Sequence, residues 1–268
     1  MPSFDTSKIG TVEQDIIYAS VGGQDLKLDM YYPSAAGPWP GLIFVHGGGW
    51  SEGDKVPLPP LPNSAGYLIA SINYRMYPAY RFPTMIEDVK CAIRYLRAHA
   101  PQYNLDPYRI ALIGHSAGGH LVALAGLAGP DAGWDVDFYM DQSSRVQAVI
   151  EMSGPADFRN DFVVALSERI ANVFGPEQII SSSPVTYVHK DAPPFLIIHG
   201  DKDDLVPVRE AICLHEAIIQ AGGHSELLII QNGGHGFEPI GGEVAPSLEE
   251  ILKQIVAFLD RNMGTAKG

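Results

Sequence analysis

The stretch 110-IALIGHSAGGHLVALAG-126 decides the fold. Its first residues are apolar and read as a buried strand, while its second half carries Leu, Val and Ala in a helix-like run. Between them lies Gly114-His115-Ser116-Ala117-Gly118, a G-x-S-x-G turn. In a strand–turn–helix of this kind the serine sits on a sharp elbow, and glycine on either side avoids a clash with the crossing backbone. The hydroxyl then projects into a cleft. The amide of Ala117 heads a helix, where unpaired N–H groups and the dipole favour a developing negative charge. A glycine-rich turn without chemistry has the same local sequence, so the rest of the chain must decide.

Outward from this turn, short β-rich runs alternate with periodic segments. Residues 12–21 and 25–33 flank a Gly-Gly-Gln turn and read as a hairpin. Further strands are expected at 41–47, 67–74, 109–116, 146–154, 194–200 and 226–232, and helices at 84–100, 117–128, 208–222 and 248–262. Runs such as LIFV, FLII and LLII are continuously apolar, the pattern of parallel strands covered on both faces. The last helix carries Leu248, Ile251, Leu252, Ile255 and Leu259 as its buried stripe. The expectation is an α/β fold: a doubly wound, mostly parallel eight-stranded sheet, with an antiparallel hairpin at one edge. Sites in such sheets form at the carboxyl ends of strands, where each chemically interesting residue of this chain falls.

The 268 residues, 46% hydrophobic and 18% charged, suit one large domain spanning 1–268. A formal net charge of −13 repels phosphate backbones and anionic headgroups, so neither nucleic acid nor a membrane is expected as partner. The two cysteines, Cys91 and Cys213, form no CxxC motif, which excludes a thiol-based zinc or redox site. The first residues lack a basic patch followed by an apolar stretch, and no segment is long and apolar enough to span a bilayer. A cytoplasmic protein is expected, with a mature secreted form as the alternative.

His46-Gly47-Gly48-Gly49-Trp50 follows the strand GLIFV. Its glycines let the backbone approach a ligand, and the amides of Gly48 and Gly49 could join that of Ala117 in an oxyanion hole. Each such donor is worth about 3 kcal/mol of barrier. A phosphate nest would need a P-loop lysine or dinucleotide spacing, and neither is present. Among nine histidines, His235 in NGGHGF follows the last strand on a glycine-rich loop, where an imidazole base can reach over the sheet. His46, His115 and His199 sit at strand ends, where structural hydrogen bonds are expected. No HExxH or other metal pattern occurs. The orienting acid should leave the preceding strand, in HGDKDDLVP; spacing alone does not separate Asp203 from Asp204, with Asp201 nearest the strand and Asp157 an outside candidate. The order serine, aspartate, histidine is that of α/β-hydrolases.

HGGGW followed by EGDK, YLIASINYR, FPTMIEDVKCAIRYLR, DPYRIALIGHSAGGHL, PPFLIIHGDKDDLVP and GGHGF together resemble the α/β-hydrolase esterases of the carboxylesterase and hormone-sensitive-lipase-related group. The feruloyl/acetyl-xylan esterase-like subgroup is the most similar. The resemblance runs from about residue 12 to 262 and implies nucleophile Ser116, acid Asp203 and base His235. The D-x-x-V-P tail selects Asp203. It implies oxyanion amides at Gly48, Gly49 and Ala117, and no metal or organic cofactor. Trp50, His115, Phe158 and Phe174 are candidate substrate contacts, with Phe162 and Tyr187 as further pocket walls.

Three departures stand out. Only about eleven residues precede the first strand, so the large cap of hormone-sensitive-lipase relatives is expected to be absent or minimal. PLPPLPN (57–63) cannot form the usual helix, because each proline removes a donor. Residues 155–192 are too long for a plain connection and are expected to form a small lid, with 130–144 as a second wall.

The resemblance implies a small-molecule ester substrate, of short-chain acyl, acetyl or aryl- and sugar-linked type, hydrolysed through an acyl-enzyme. An arylformamidase-like amidase shares this machinery. A non-catalytic binding protein on the same scaffold would be expected to lack a triad member, and none is missing here.

Overall fold

The apolar runs become eight strands of one sheet, in the order β1-β2-β4-β3-β5-β6-β7-β8. The computed structural model describes residues 10–56, 65–159 and 167–264. The strands are β1 (Val12–Val21), β2 (Gln24–Tyr31), β3 (Trp39–Val45), β4 (Leu68–Ile72), β5 (Leu105–His115), β6 (Ala148–Met152), β7 (Phe195–Gly200) and β8 (Ser225–Ile230). The β1–β2 hairpin and the β2–β4 pair are antiparallel, and every later pairing is parallel. The helices are α1 (Thr84–Ala98), α2 (Ala117–Leu127), α3 (Ser167–Phe174), α4 (Arg209–Gln220) and α5 (Leu248–Met263).

Continuous apolar strands arise because both faces of the sheet are buried. Along β3, Ile43 and Val45 join one core while Leu42 and Phe44 join the other. The same alternation puts Leu112, Val149 and Ile197 on the first face and Ile113, Ile150 and Ile198 on the second. The first, larger core includes residues of α1, α2 and α4; the second is sealed by Ile251, Ile255, Phe258, Leu259 and Met263 of α5. The stripe expected on α5 is confirmed apart from Leu248, which is 57% exposed in the first turn. There Ser247 and Glu250 form a reciprocal capping box.

The expected element boundaries hold to within a few residues. The largest shift is β5, which begins at Leu105 and so includes Asp106-Pro107-Tyr108 ahead of the apolar run. The insertion between β6 and β7 contains α3 and two short 3-10 turns, at Pro176–Gln178 and Pro184–Tyr187. Residues 160–166 of that insertion, Phe162 included, and the proline-rich segment 57–63 lie outside the described residues. Cys91 and Cys213 are both free. Among the described residues no helix is long and apolar enough to cross a membrane.

Candidate active site

The elbow after β5 takes the conformation its glycines permit. Ser116 has φ 57° and ψ −121°, in the positive-φ region that costs a residue with a side chain on the order of 1–3 kcal/mol. Its amide donates to the Met152 carbonyl at the end of β6 at 2.8 Å, and its carbonyl accepts from His120 at 3.0 Å, so sheet and helix hold it from both sides. At position 118 the helix approaches so closely that a Cβ would overlap the carbonyl oxygens of Val45 and His46 at the end of β3, so any side chain there must push helix and strand apart.

From this elbow the Ser116 hydroxyl meets His235 Nε2 at 2.8 Å, and His235 Nδ1 meets Asp203 Oδ2 at 2.7 Å. Asp203 leaves β7 and His235 leaves β8, so three strand ends converge, as the sheet order allows. The Asp203 carboxylate is fixed elsewhere too. Its Oδ1 accepts from the amides of Leu205 at 3.0 Å and Val206 at 2.8 Å. Burial pushes its pKa up, but hydrogen bonds from His199, His235 and the Val206 amide outweigh that and hold it well below the usual carboxylate range. Asp204 is exposed, Asp201 forms the turn, and Asp157 pairs with Arg159 at 2.7 Å, so none of these three meets His235.

The amides of Gly48, Gly49 and Ala117 make no hydrogen bond among the described residues. Gly48 and Gly49 have φ of 108° and 55°, the glycine region that turns this loop over the Ser116 cleft. The cleft measures about 210 Å³ and is lined by Gly48, Gly49, Trp50, His115, Ser116 and His235, together with Glu52, Pro155, Arg169 and Leu205. Among the described residues no cluster of acidic, histidine and cysteine side chains could hold a metal.

The structure separates the four residues expected as substrate contacts. Trp50 and His115 do line the cleft. Phe158 and Phe174 instead pack edge-on against Trp50, at 5.9 and 5.0 Å, and both also contact the His120 ring, in an aromatic layer behind Trp50. Loop 130–144 borders a different cavity, of about 460 Å³, with Lys90 and His189. Tyr187 packs on Trp134 rather than on the cleft.

The strand-end histidines bond backbone carbonyls as expected. His46 reaches Gly47, His115 reaches His235 and His199 reaches Val206, each at 2.7 Å. Burial lowers the pKa of His115 and His46, and takes that of His120 down to about 4. His120 is therefore neutral; its Nε2–H donates to Ser182 and its Nδ1 accepts from Trp50.

Three features went unread in the sequence. His199 Nε2 lies 3.2 Å from Asp203 Oδ2, a second imidazole on the same carboxylate oxygen. Glu151 on β6 is buried with its Oε2 unpartnered among the described residues, and burial lifts its pKa to about 7. Arg169 of α3 enters the cleft itself. Neither Glu151 nor Arg169 belongs to a motif, and only the position of His199 beside Gly200-Asp201 hinted at proximity.

The BD-FAE family model matches residues 28–218. The chain belongs to the BD-FAE family. It is 35% identical over 222 residues to Esterase LipC of Mycobacterium tuberculosis, a match covering 76% of this chain and 55% of that protein. The first curated relatives it matches are longer, and it spans 55–64% of their length. Among solved structures, a truncated carbohydrate esterase from gut microbiota superposes with a TM-score of 0.81 at 27% identity, covering 98% of this chain and 99% of that one. The propionate-bound esterase Est2 of Thermogutta terrifontis does so with a TM-score of 0.78 at 27% identity, covering 96% of both. This BD-FAE chain thus has the α/β-hydrolase fold of solved esterases, nearly end to end.

Proposed function

We propose that the chain is a cofactor-free serine esterase that hydrolyses short-chain acyl esters of sugar or aryl alcohols. The observation that carries this reading is the hydrogen-bonded line Asp203–His235–Ser116, at 2.7 and 2.8 Å, beside the amides of Gly48, Gly49 and Ala117, which are unpaired among the described residues. Names of similar proteins support it, since LipC is an esterase and the gut-microbiota structure a carbohydrate esterase. The cleft of about 210 Å³ suits a small acyl group, as does propionate in the Thermogutta enzyme.

In this mechanism His235 Nε2 takes the Ser116 proton as Oγ attacks the ester carbonyl. The buried Asp203 carboxylate holds the imidazole in the Nδ1–H tautomer and offsets its positive charge once Nε2 is protonated. The oxyanion of the tetrahedral intermediate takes hydrogen bonds from the Gly48, Gly49 and Ala117 amides. His235 then returns the proton to the leaving alkoxide, giving the acyl-enzyme, and activates the water that releases the acid and regenerates Ser116. Purified Ser116→Ala is expected to lose at least about 10,000-fold in kcat on p-nitrophenyl acetate and to resist fluorophosphonate labelling. Activity at the parental level in that variant would overturn the reading.

A further inference from the structure

We propose that Arg169 makes this cleft selective for esters that bear a second group, an ionised carboxylate. The inference rests on Ser116 as the nucleophile, because it concerns what is held beside the ester that Ser116 attacks.

Among the described residues that line the cleft with Ser116 and His235, Arg169 is the one lysine or arginine. Its side chain lies directly on the oxyanion loop. A Cβ at position 49 would overlap Nη1 and approach Cδ to 2.8 Å, so Gly49 is what lets the guanidinium settle there. The insertion thus delivers a cation to the edge of the reacting centre.

That cation is poorly satisfied by the protein. Its one ion-pair partner among the described residues is Glu52, at 3.9 Å, beyond hydrogen-bond distance; the two side chains are 43% and 74% exposed. No hydrogen bond from its N–H groups to a described residue exists. Several arginines elsewhere are engaged: Arg75 holds Asp88 at 2.7 Å, Arg159 holds Asp157 at 2.7 Å, and Arg261 holds Glu226 at 2.9 Å. In a chain of net charge −13, an arginine without a close carboxylate at the mouth of the cleft stands out.

A planar guanidinium offers parallel donors that fit a carboxylate in two-point contact. A substrate carboxylate would supply that contact and displace the distant Glu52. Two ester types carry such a group: the half-ester of a dicarboxylic acid, on the acyl side, and an ester of a sugar acid or hydroxybenzoic acid, on the alcohol side.

The test uses two matched pairs. For the alcohol side, 4-acetoxybenzoate is compared with neutral 4-acetoxybenzamide. For the acyl side, monophenyl succinate is compared with neutral phenyl levulinate, with uncatalysed rates subtracted. The quantity read is the kcat/KM ratio of charged to neutral ester, in which general damage to the enzyme cancels. In at least one pair the ratio is expected to fall about tenfold in Arg169→Gln, a figure kept modest because the group is partly exposed. The same ratio should rise in Glu52→Gln, which removes the competing carboxylate, and shrink in high salt. The pair that responds identifies the side of the ester on which the carboxylate lies. Ratios unchanged within about twofold in both variants, with neutral esters still turned over, would overturn the proposal while leaving the serine-esterase reading intact. Full activity of Ser116→Ala would instead remove the foundation. Should Arg169→Gln fail to fold, the direction of the Glu52→Gln ratio decides.

Discussion

At Asp203 one carboxylate oxygen faces two imidazoles, His235 at 2.7 Å and His199 at 3.2 Å, both at side chains closed off from bulk water on the acid's side. In the proposed mechanism His199 would be a positioning residue, its ring holding Asp203 in the rotamer that reaches His235. Replacing it with phenylalanine is expected to lower kcat about tenfold with KM little changed, since a misplaced triad residue acts on chemistry rather than on substrate binding. His199→Gln, which keeps a donor near Nε2, should recover part of the loss; equal kcat in parent and phenylalanine variant would refute the role. The residues easiest to read from sequence were those whose backbone demands show as glycine, Ser116 and His235 among them. Asp203 and Asp204 were inseparable by spacing, because both follow a strand in a turn and only the fold decides which carboxylate turns inward. Phe158 and Phe174 were hard to place for a similar reason: an aromatic in an insertion has the same sequence signature whether it lines a cleft or packs, as here, against Trp50.

Helix α2 meets the end of β3 at Gly118, with no room for a methyl group between helix and strand carbonyls. Gly118→Ala is expected to cost about 1–3 kcal/mol, the usual range for overpacking, and to lower the melting temperature by roughly 5 °C. Activity should fall as well, because displacement of α2 carries the Ala117 amide with it; a variant with unchanged melting and kcat would contradict this close packing. Elements of this kind were legible because their apolar period is set by burial on one face or two. β3, β7 and β8 announced themselves as unbroken apolar runs, and α5 by its stripe. The short α3 was not visible, since an eight-residue segment, SERIANVF, offers too few turns for a period to emerge. Arg169 went unnoticed with it.

Across the whole molecule, buried ionisable groups beneath the triad couple stability to pH. Glu151 is fully enclosed, and burial, opposed by the attraction of His199 and the Gly154 amide, lifts its pKa from 4.5 to about 7. Between those values the native chain keeps a proton that the unfolded chain has released, so stability falls as pH rises through that window, by on the order of 3 kcal/mol. His199 acts in the same direction. Burial lowers its pKa, but the Asp203 hydrogen bond and the charge of Glu151 outweigh burial and raise it, so its contribution too is lost as pH climbs. Glu151→Gln, which retains an acceptor for the Gly154 amide, should flatten the decline in urea midpoint between about pH 5 and about pH 8; an equally steep decline would rule out Glu151 as its source. The sheet also divides the interior unequally. The nucleophile's helix is rooted in the larger core, whereas the loop bearing His235 is strung between β8 and α5, whose apolar stripe closes the smaller one. In the proposed mechanism, loosening of α5 would disturb His235, the base, before the Ser116 elbow, which is rooted in the larger core. The two cores thus split the proposed site: the serine belongs to the larger, the histidine's loop to the smaller.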